Sequence, residues 1–482
     1  MAKYYITSPI YYVNAKPHIG SAYTSVAADV LARYHRQQGD DVFFLMGTAE
    51  HGAKMAGSAE KAGKETQAFM DEMSGEFQKT WDGLNIQRDG FLRTTEKRHE
   101  TAVKIFFEKL KDSGKIYEAE YEGLYCIGHE AFVKEADLTP EGLCPDHGTK
   151  PELVKENNWF FKLSEYQEVI REKIVNKELL VEPEGRRNEV LAFIDKGLED
   201  IAISRQNVTW AIPLPWDASQ TIYVWLDELF SYCSGIGYGE DDALFKKYWP
   251  ADLHLVGKDI IKFHCIIWPA LLMAIGEEIP KKVFAHGFFT VDGQKMSKTL
   301  GNVVDPRDLV AEYGADTVRY FLLRDFAFGN DGDFSHERLK DRYNSDLANG
   351  LGNLVSRTLN MFDKYCDQNN IPVSAILPEE VAMIAKDTDR LIEELAFHKA
   401  LANIWKLVAF ADELIEKYKP WELVKNGDTQ KAQEVIHQAV VVLQIITDKI
   451  APFMPETHEK LIAILSAKPL RKPENPLFAR KD

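Results

Sequence analysis

Apolar residues recur along this chain with two rhythms, and the change from one to the other falls near residue 344. Tyr4-Tyr5-Ile6-Thr7 is a run of aromatic and β-branched residues followed by a polar turn at 14–17, which predicts a short buried strand entering a loop. Ala22, Val26, Val30 and Tyr34 then recur every four residues, with Pro17 before them and Gly39 after, and predict a helix over 19–38. Residues 42–46 read as the next strand, so strand, helix and strand form a parallel βαβ unit. The same rhythm returns with strands at 221–225, 252–256 and 282–285 and an apolar helix at 260–275. Between the halves, 116–215 is rich in turn residues and short mixed segments, as an inserted module is. Beyond 344 the spacing of Leu391, Leu395, Lys399 and Asn403, and of Trp405, Val408, Ala409 and Asp412, is helical throughout, and 469–482 is a polar, loosely held ending. The domains expected are therefore 1–115 and 216–345 as two halves of one α/β domain, 116–215 as the insertion, and 346–482 as an all-helical domain.

A chain of 482 residues, 45% hydrophobic and 28% charged, can bury a sizeable core and suits two or three domains. No apolar stretch is long enough to span a bilayer and no signal segment opens the chain, so a soluble cytoplasmic protein without membrane contact is expected. Five cysteines are too few for a disulfide framework. Two of them open the pairs Cys126-Ile127-Gly128-His129 and Cys144-Pro145-Asp146-His147, a spacing that can close a tetrahedral site for a structural Zn²⁺. The net charge of −17 opposes nucleic-acid binding by global electrostatics, so any RNA contact must use local basic patches.

Pro17-His18-Ile19-Gly20 lies where the first strand hands over to the first helix, where backbone N–H groups and the helix dipole hold phosphate. Alone it is a weak sign, since a histidine at a helix start is more often a cap. Lys295-Met296-Ser297-Lys298-Thr299 places two lysines three residues apart in a glycine-flanked loop after the last strand. Their ammonium groups suit the negative charge that develops when an α-phosphorus is attacked.

Together these segments resemble the two signatures of class I aminoacyl-tRNA synthetases. More narrowly, the stretches at 5–14, 223–227 and 256–261 and the Lys295 segment are similar to the methionyl-tRNA synthetase family, over nearly the whole chain. The resemblance implies a Rossmann-type, doubly wound parallel sheet split by a zinc-knuckle insertion, followed by a helical-bundle anticodon-binding domain. It implies a methionine–tRNA ligase, in which the methionine carboxylate attacks the α-phosphate of Mg²⁺-ATP and the acyl group passes to tRNA(Met). His18, Lys295 and Lys298 would be catalytic. Gly20, Ser21, Gly257 and Asp259 would join them around ATP, with Asp259 on the ribose hydroxyls. Ile10, Tyr12, Trp225, Glu228, Tyr232, Ile260, His264 and Trp268 would surround methionine, whose sulfur gains about 0.3–1.5 kcal/mol per aromatic contact. Cys126, His129, Cys144 and His147 would hold the zinc. Asn353, Arg357 and Trp421 would read the anticodon by hydrogen bonds and stacking. With no appended C-terminal dimerisation module, a monomer is expected.

Four positions depart from the family. Ala49, in Gly47-Thr48-Ala49-Glu50-His51, stands where an aspartate usually holds the substrate α-ammonium, and Glu228 stands where a small residue is usual. Glu228 or Glu50 is expected to supply the missing carboxylate, because a partly buried ammonium without one is costly. Ser21 replaces the last histidine of the first signature, and the change of serine to Thr299 in the second is mild. A catalytically weak or altered-specificity paralogue, and a nucleotidylyltransferase of the same superfamily, are the competing readings.

Overall fold

The computed structural model describes residues 2–126, 128, 131–145, 148–296, 301–367, 370–372 and 374–481, without the side chains of 131, 132, 136 and 295. They form two compact units, one of residues 1–17, 39–79 and 87–286, the other of 18–38, 80–86 and 287–482.

The first unit is built on a parallel sheet that has seven strands among the described residues. These are β1 (Lys3–Thr7), β2 (Tyr11–Tyr12), β3 (Asp41–Ala49), β4 (Gly90–Arg93), β5 (Leu180–Glu182), β6 (Leu253–Gly257) and β7 (Lys282–His286). Their order is β2-β3-β1-β6-β7-β5, with β4 also paired to β3. Central parallel strands are covered on both faces and read as continuous apolar runs, which is why β3 and β6 stood out in the sequence. Thr7 on β1 lies in register with Leu45 on β3 and with His254 on β6. The C-terminal ends of β1 and β6 are thus adjacent, and ligands of open parallel sheets bind beyond such ends.

Three expectations for this unit are corrected. The strand expected at 221–225 ends at Ile222: Asp217–Ile222 pairs antiparallel with Ser204–Arg205 and Pro213–Leu214 in a separate small sheet. Residues from Val224 begin a helix, Val224–Ser234, that is buried almost all round, so no polar face revealed its period. β5 lies inside the segment read as an insertion yet pairs with β7, and three residues are too few to show a rhythm. The apolar helix at 260–275 is a 3₁₀ turn at Lys258–Ile260, a π-turn at Phe263–Ile267 and an α-helix at Trp268–Ala274. The rest of the insertion contains an antiparallel sheet in which Ile116–Cys126 pairs with Glu152–Phe161, flanked by Ala131–Val133 and Ile201–Ala202.

The second unit contains α1 (Ile19–Gln37) and the helices of the C-terminal part, the longest being Phe397–Tyr418 and Thr429–Ile450. Asp29 on α1 and Arg319 are both fully buried and pair at 2.7 Å. Arg319 also donates to the carbonyls of Phe453, Leu84 and Pro452. A buried guanidinium with four acceptors is satisfied rather than stranded, which lets a charge sit in this core. Among the described residues no helix is long and apolar enough to cross a membrane.

Candidate active site

The residues singled out from the sequence fall into two groups, one in each unit. In the second unit His18 caps α1. Its Nδ1 accepts from the Gly20 N–H at 3.1 Å. The Ser21 hydroxyl donates to the His18 carbonyl at 2.7 Å and accepts from the His18 N–H at 3.1 Å. This reciprocal capping box occupies the Ser21 hydroxyl proton, so the serine shapes the turn. It also fixes the imidazole: with Nδ1 accepting, the proton of the neutral ring sits on Nε2, the nitrogen able to donate to a phosphate oxygen. His18 is exposed at the positive end of a 19-residue helix, where phosphate is favoured.

The lysine segment meets this turn. A Cβ added at Gly20 would lie 3.0 Å from the His18 ring and 3.5 Å from Met296 Cε, so the backbone there is held open between the two signatures. Lys295 ends the short strand Gln294–Lys295, reached through a turn with Asp292 and Gly293 at φ 49° and 76°, the left-handed pair of a type I′ hairpin. Asp333 clamps that hairpin by accepting from the Thr290 hydroxyl at 2.6 Å and the Gly293 N–H at 2.7 Å, and these bonds hold its carboxyl below the usual range. The Lys295 side chain and all of Lys298 and Thr299 lie outside the described residues.

In the first unit the candidate amino-acid pocket gathers aromatic rings beyond β1 and β6. Tyr12 stands edge-on to Trp225 at 5.8 Å, and Trp225 stacks on Phe263 at 4.3 Å, a contact missed in the sequence although Phe263 lies one residue from His264. The Tyr232 hydroxyl meets His264 Nε2 at 2.8 Å, and His264 Nδ1 meets the Ile260 carbonyl at 2.9 Å. A carbonyl can only accept, so Nδ1 carries the proton and the tyrosine donates to Nε2. Burial lowers the His264 pKa to about 4, which keeps the ring neutral. Ile10 is pressed to the strand because position 47 is glycine: a Cβ there would lie 2.9 Å from Ile10 Cγ2 and 2.3 Å from the Leu92 carbonyl oxygen. Gly257 closes β6, and Asp259 follows it as an exposed side chain.

The carboxylates near Ala49 have separate fates. Glu50 is fully buried, and its oxygens accept from Arg93 at 2.7 and 2.8 Å, from the Thr48 hydroxyl at 2.6 Å and from the Thr95 hydroxyl at 2.6 Å. Such a committed carboxylate is a poor partner for a substrate, so of the two candidates for the missing charge Glu50 drops out. Glu228 is 7% exposed, and its charge, after burial itself, keeps the Tyr232 phenol protonated. Beside it the buried Asp227 bridges His51 Nδ1 at 2.8 Å and His99 Nε2 at 2.5 Å. Burial opposes ionisation of Asp227, but the two imidazoles outweigh it and bring its pKa down to about 2. This network was not legible in the sequence, where its members lie up to 176 positions apart.

Elsewhere, Asn353 and Arg357 stand one turn apart on the helix Asn353–Tyr365, with Arg357 paired to Glu416 at 2.7 Å and Asp412 at 3.5 Å. Trp421 is 38% exposed in Pro420–Lys425. Cys126 and Cys144 are buried, while His129 and His147 lie outside the described residues. Among the described residues no group of three or more His, Cys, Asp or Glu side chains is placed to hold a metal ion.

The family described as "tRNA synthetases class I (M)" matches residues 4–149 and 147–359, and the "Anticodon binding domain of methionyl tRNA ligase" matches 368–478. A methionine–tRNA ligase of Thermotoga maritima is 44% identical over 473 residues, 96% of this chain and 75% of the relative. One from Rickettsia felis is 44% identical over 468 residues, 95% of this chain and 91% of its own. Among solved structures, the Mycobacterium tuberculosis methionyl-tRNA synthetase in complex with methionyl-adenylate superposes with a TM-score of 0.93 at 36% identity, covering 100% of both chains. The apo form of that enzyme gives a TM-score of 0.86 at 34% identity, covering 100% of this chain and 99% of its own.

Proposed function

Starting from the fact that the chain belongs to the methionyl class I tRNA synthetases, we propose how its own residues divide the work of the reaction. The activity is that of a methionine–tRNA ligase: methionine is activated by ATP to methionyl-adenylate and then transferred to tRNA. No side-chain nucleophile is needed, so catalysis rests on positioning and on charge stabilisation.

The methionine side chain enters among Ile10, Tyr12, Trp225, Tyr232, Ile260, His264 and Trp268. The Tyr12–Trp225 pair and the Tyr232–His264 hydrogen bond support this, because the first presents ring edges to a thioether and the second holds the tyrosine and imidazole rings in place beside it. Glu228 takes the α-ammonium in place of an aspartate at 49. His18 Nε2, with Gly20 and Ser21 shaping the turn, faces the triphosphate, and Lys295 and Lys298 close over it. Gly257 and Asp259 hold the adenosine. Mg²⁺ would arrive with ATP and neutralise phosphate charge, and no protein ligand set for it is assigned. Two thiolates and two imidazoles, from Cys126, Cys144, His129 and His147, are a donor set suited to Zn²⁺ in a structural knuckle. Asn353, Arg357 and Trp421 meet the anticodon. The doubly wound reading of the sheet, the boundaries at 115 and 345 with the strand Leu180–Glu182 counted in the sheet and not in the insertion, and a cytoplasmic location belong to the same proposal.

The observation that carries the assignment of the nucleotide site is the approach of Met296 to the Gly20 backbone, its Cε 3.5 Å from where a Cβ on Gly20 would stand. Replacing His18 with alanine should lower the rate of adenylate formation by about 10²–10³, as loss of one preorganised donor does, with little change in methionine KM. A rate within twofold of the parent would remove His18 from the site.

A further inference from the structure

The proposed methionine pocket has a second layer beneath its rings, and the direction of its hydrogen bonds is fixed. The Trp268 indole N–H donates to His254 Nε2 at 3.3 Å. An indole can only donate, so Nε2 is the bare nitrogen and Nδ1 carries the proton. That Nδ1–H then donates to the Thr7 hydroxyl oxygen at 2.7 Å. Thr7 and His254 are register partners on β1 and β6, so two neighbouring strands of the sheet aim the ring. Tyr232 packs on the same imidazole with centroids 4.4 Å apart. Thr7, His254 and Trp268 are each 0% exposed, so none can exchange its partner for water without opening the core.

A leucine or phenylalanine would fill this interior position as well as an imidazole does, but would leave the indole N–H and the threonine hydroxyl without these partners. We propose that His254 is a positioning residue for amino-acid selectivity: its Nε2 sets the angle at which Trp268 faces the substrate side chain, and so how well a thioether is told from an alkyl chain of equal length. This rests on the reading of Trp268 as a wall of the methionine pocket. The ring acts through Trp268 and touches no substrate. Burial, and then the neighbouring His264, keep the His254 pKa well below its ordinary value, so the acceptor lone pair persists across neutral pH.

The test is ATP–pyrophosphate exchange with methionine and with norleucine, in which a methylene replaces sulfur, on His254→Leu, His254→Gln, Thr7→Val and Trp268→Leu enzymes. His254→Leu should reduce the methionine-to-norleucine ratio of kcat/KM about tenfold, through methionine KM rather than kcat. His254→Gln, whose carboxamide oxygen can accept the indole proton, should stay within about twofold of the parent ratio, a rescue that a merely space-filling role does not give. Thr7→Val keeps the shape and removes the hydroxyl, and should cost about threefold in the same ratio. A parent-like ratio in His254→Leu overturns the inference; should that variant not fold, a parent-like ratio in Thr7→Val does so instead. A Trp268→Leu enzyme with the parent ratio would show that the pocket reading itself is wrong, whereas loss in Trp268→Leu with retention in His254→Leu refutes only the role of His254.

Discussion

Replacing Glu228 with glutamine keeps the size of the side chain and removes its charge, and the surroundings set how much that matters. The carboxylate is 7% exposed, while Ala49 offers only a methyl and is fully buried. Glu50 cannot substitute, since Arg93, Thr48 and Thr95 already occupy both of its oxygens. A pair of unit charges about 4 Å apart at an effective dielectric of about 20 interacts by roughly 4 kcal/mol. Truncating one partner of a buried charge pair costs about 2–5 kcal/mol, so a loss of about 2–4 kcal/mol is expected for the substrate ammonium. Methionine KM in ATP–pyrophosphate exchange should therefore rise by about thirtyfold to a thousandfold, with ATP KM much less affected. Glu50→Gln should act on stability instead, because it breaks a contact within the protein. Moving the charge across the pocket, with Glu228→Ala and Ala49→Asp combined, should recover much of the lost affinity. A Glu228→Gln enzyme with methionine KM within twofold of the parent would refute the assignment.

Other outcomes follow from the same geometry. Asp29→Asn breaks the fully buried pair with Arg319 and should cost about 3–5 kcal/mol, a fall of about 6–20 °C in the unfolding midpoint of the second unit; a shift below 2 °C counts against the hub. Asp227, with its pKa brought down from 3.8 to about 2, contributes stability that is present above 3.8 and lost as pH falls through about 2. His51 is opposed by burial but raised above 6.5 by Asp227, Glu100 and Glu50, so its contribution is full below 6.5 and lost as pH rises through the raised value. Urea unfolding between pH 5 and 9 should show an alkaline decline that His51→Gln removes, and an identical decline in that variant contradicts the reading. Cys126→Ser and Cys144→Ser should each abolish bound zinc in elemental analysis of a protein that otherwise carries about one ion per chain, and a parent without zinc rejects the knuckle.

Much of the sheet was legible because its strands are buried on both faces and appear as bare apolar runs, as β3 and β6 do. β5 was not, being three residues long, and Val224–Ser234 was misread at its start because burial on nearly all sides leaves a helix without a polar stripe. The cap at His18 could be read from its place between strand and helix, but the role of Ser21 in closing the capping box could not, since serine at that position is equally suited to a ligand. What escaped most completely were partners far apart in sequence. Arg93 on Glu50, the His51–Asp227–His99 bridge and the Thr7–His254–Trp268 relay have no local period, and only the strand order brings them together.

Amino-acid-dependent ATP–pyrophosphate exchange, run on the purified chain with methionine and with leucine, isoleucine and valine in parallel, tests the central claim most directly. A pocket of ring edges around a neutral imidazole, with one buried carboxylate for the ammonium, predicts exchange driven by methionine with kcat/KM at least about a hundredfold above the aliphatic amino acids, followed by methionine transfer to its tRNA. Exchange that ignores methionine, or that leucine supports equally well, contradicts the account.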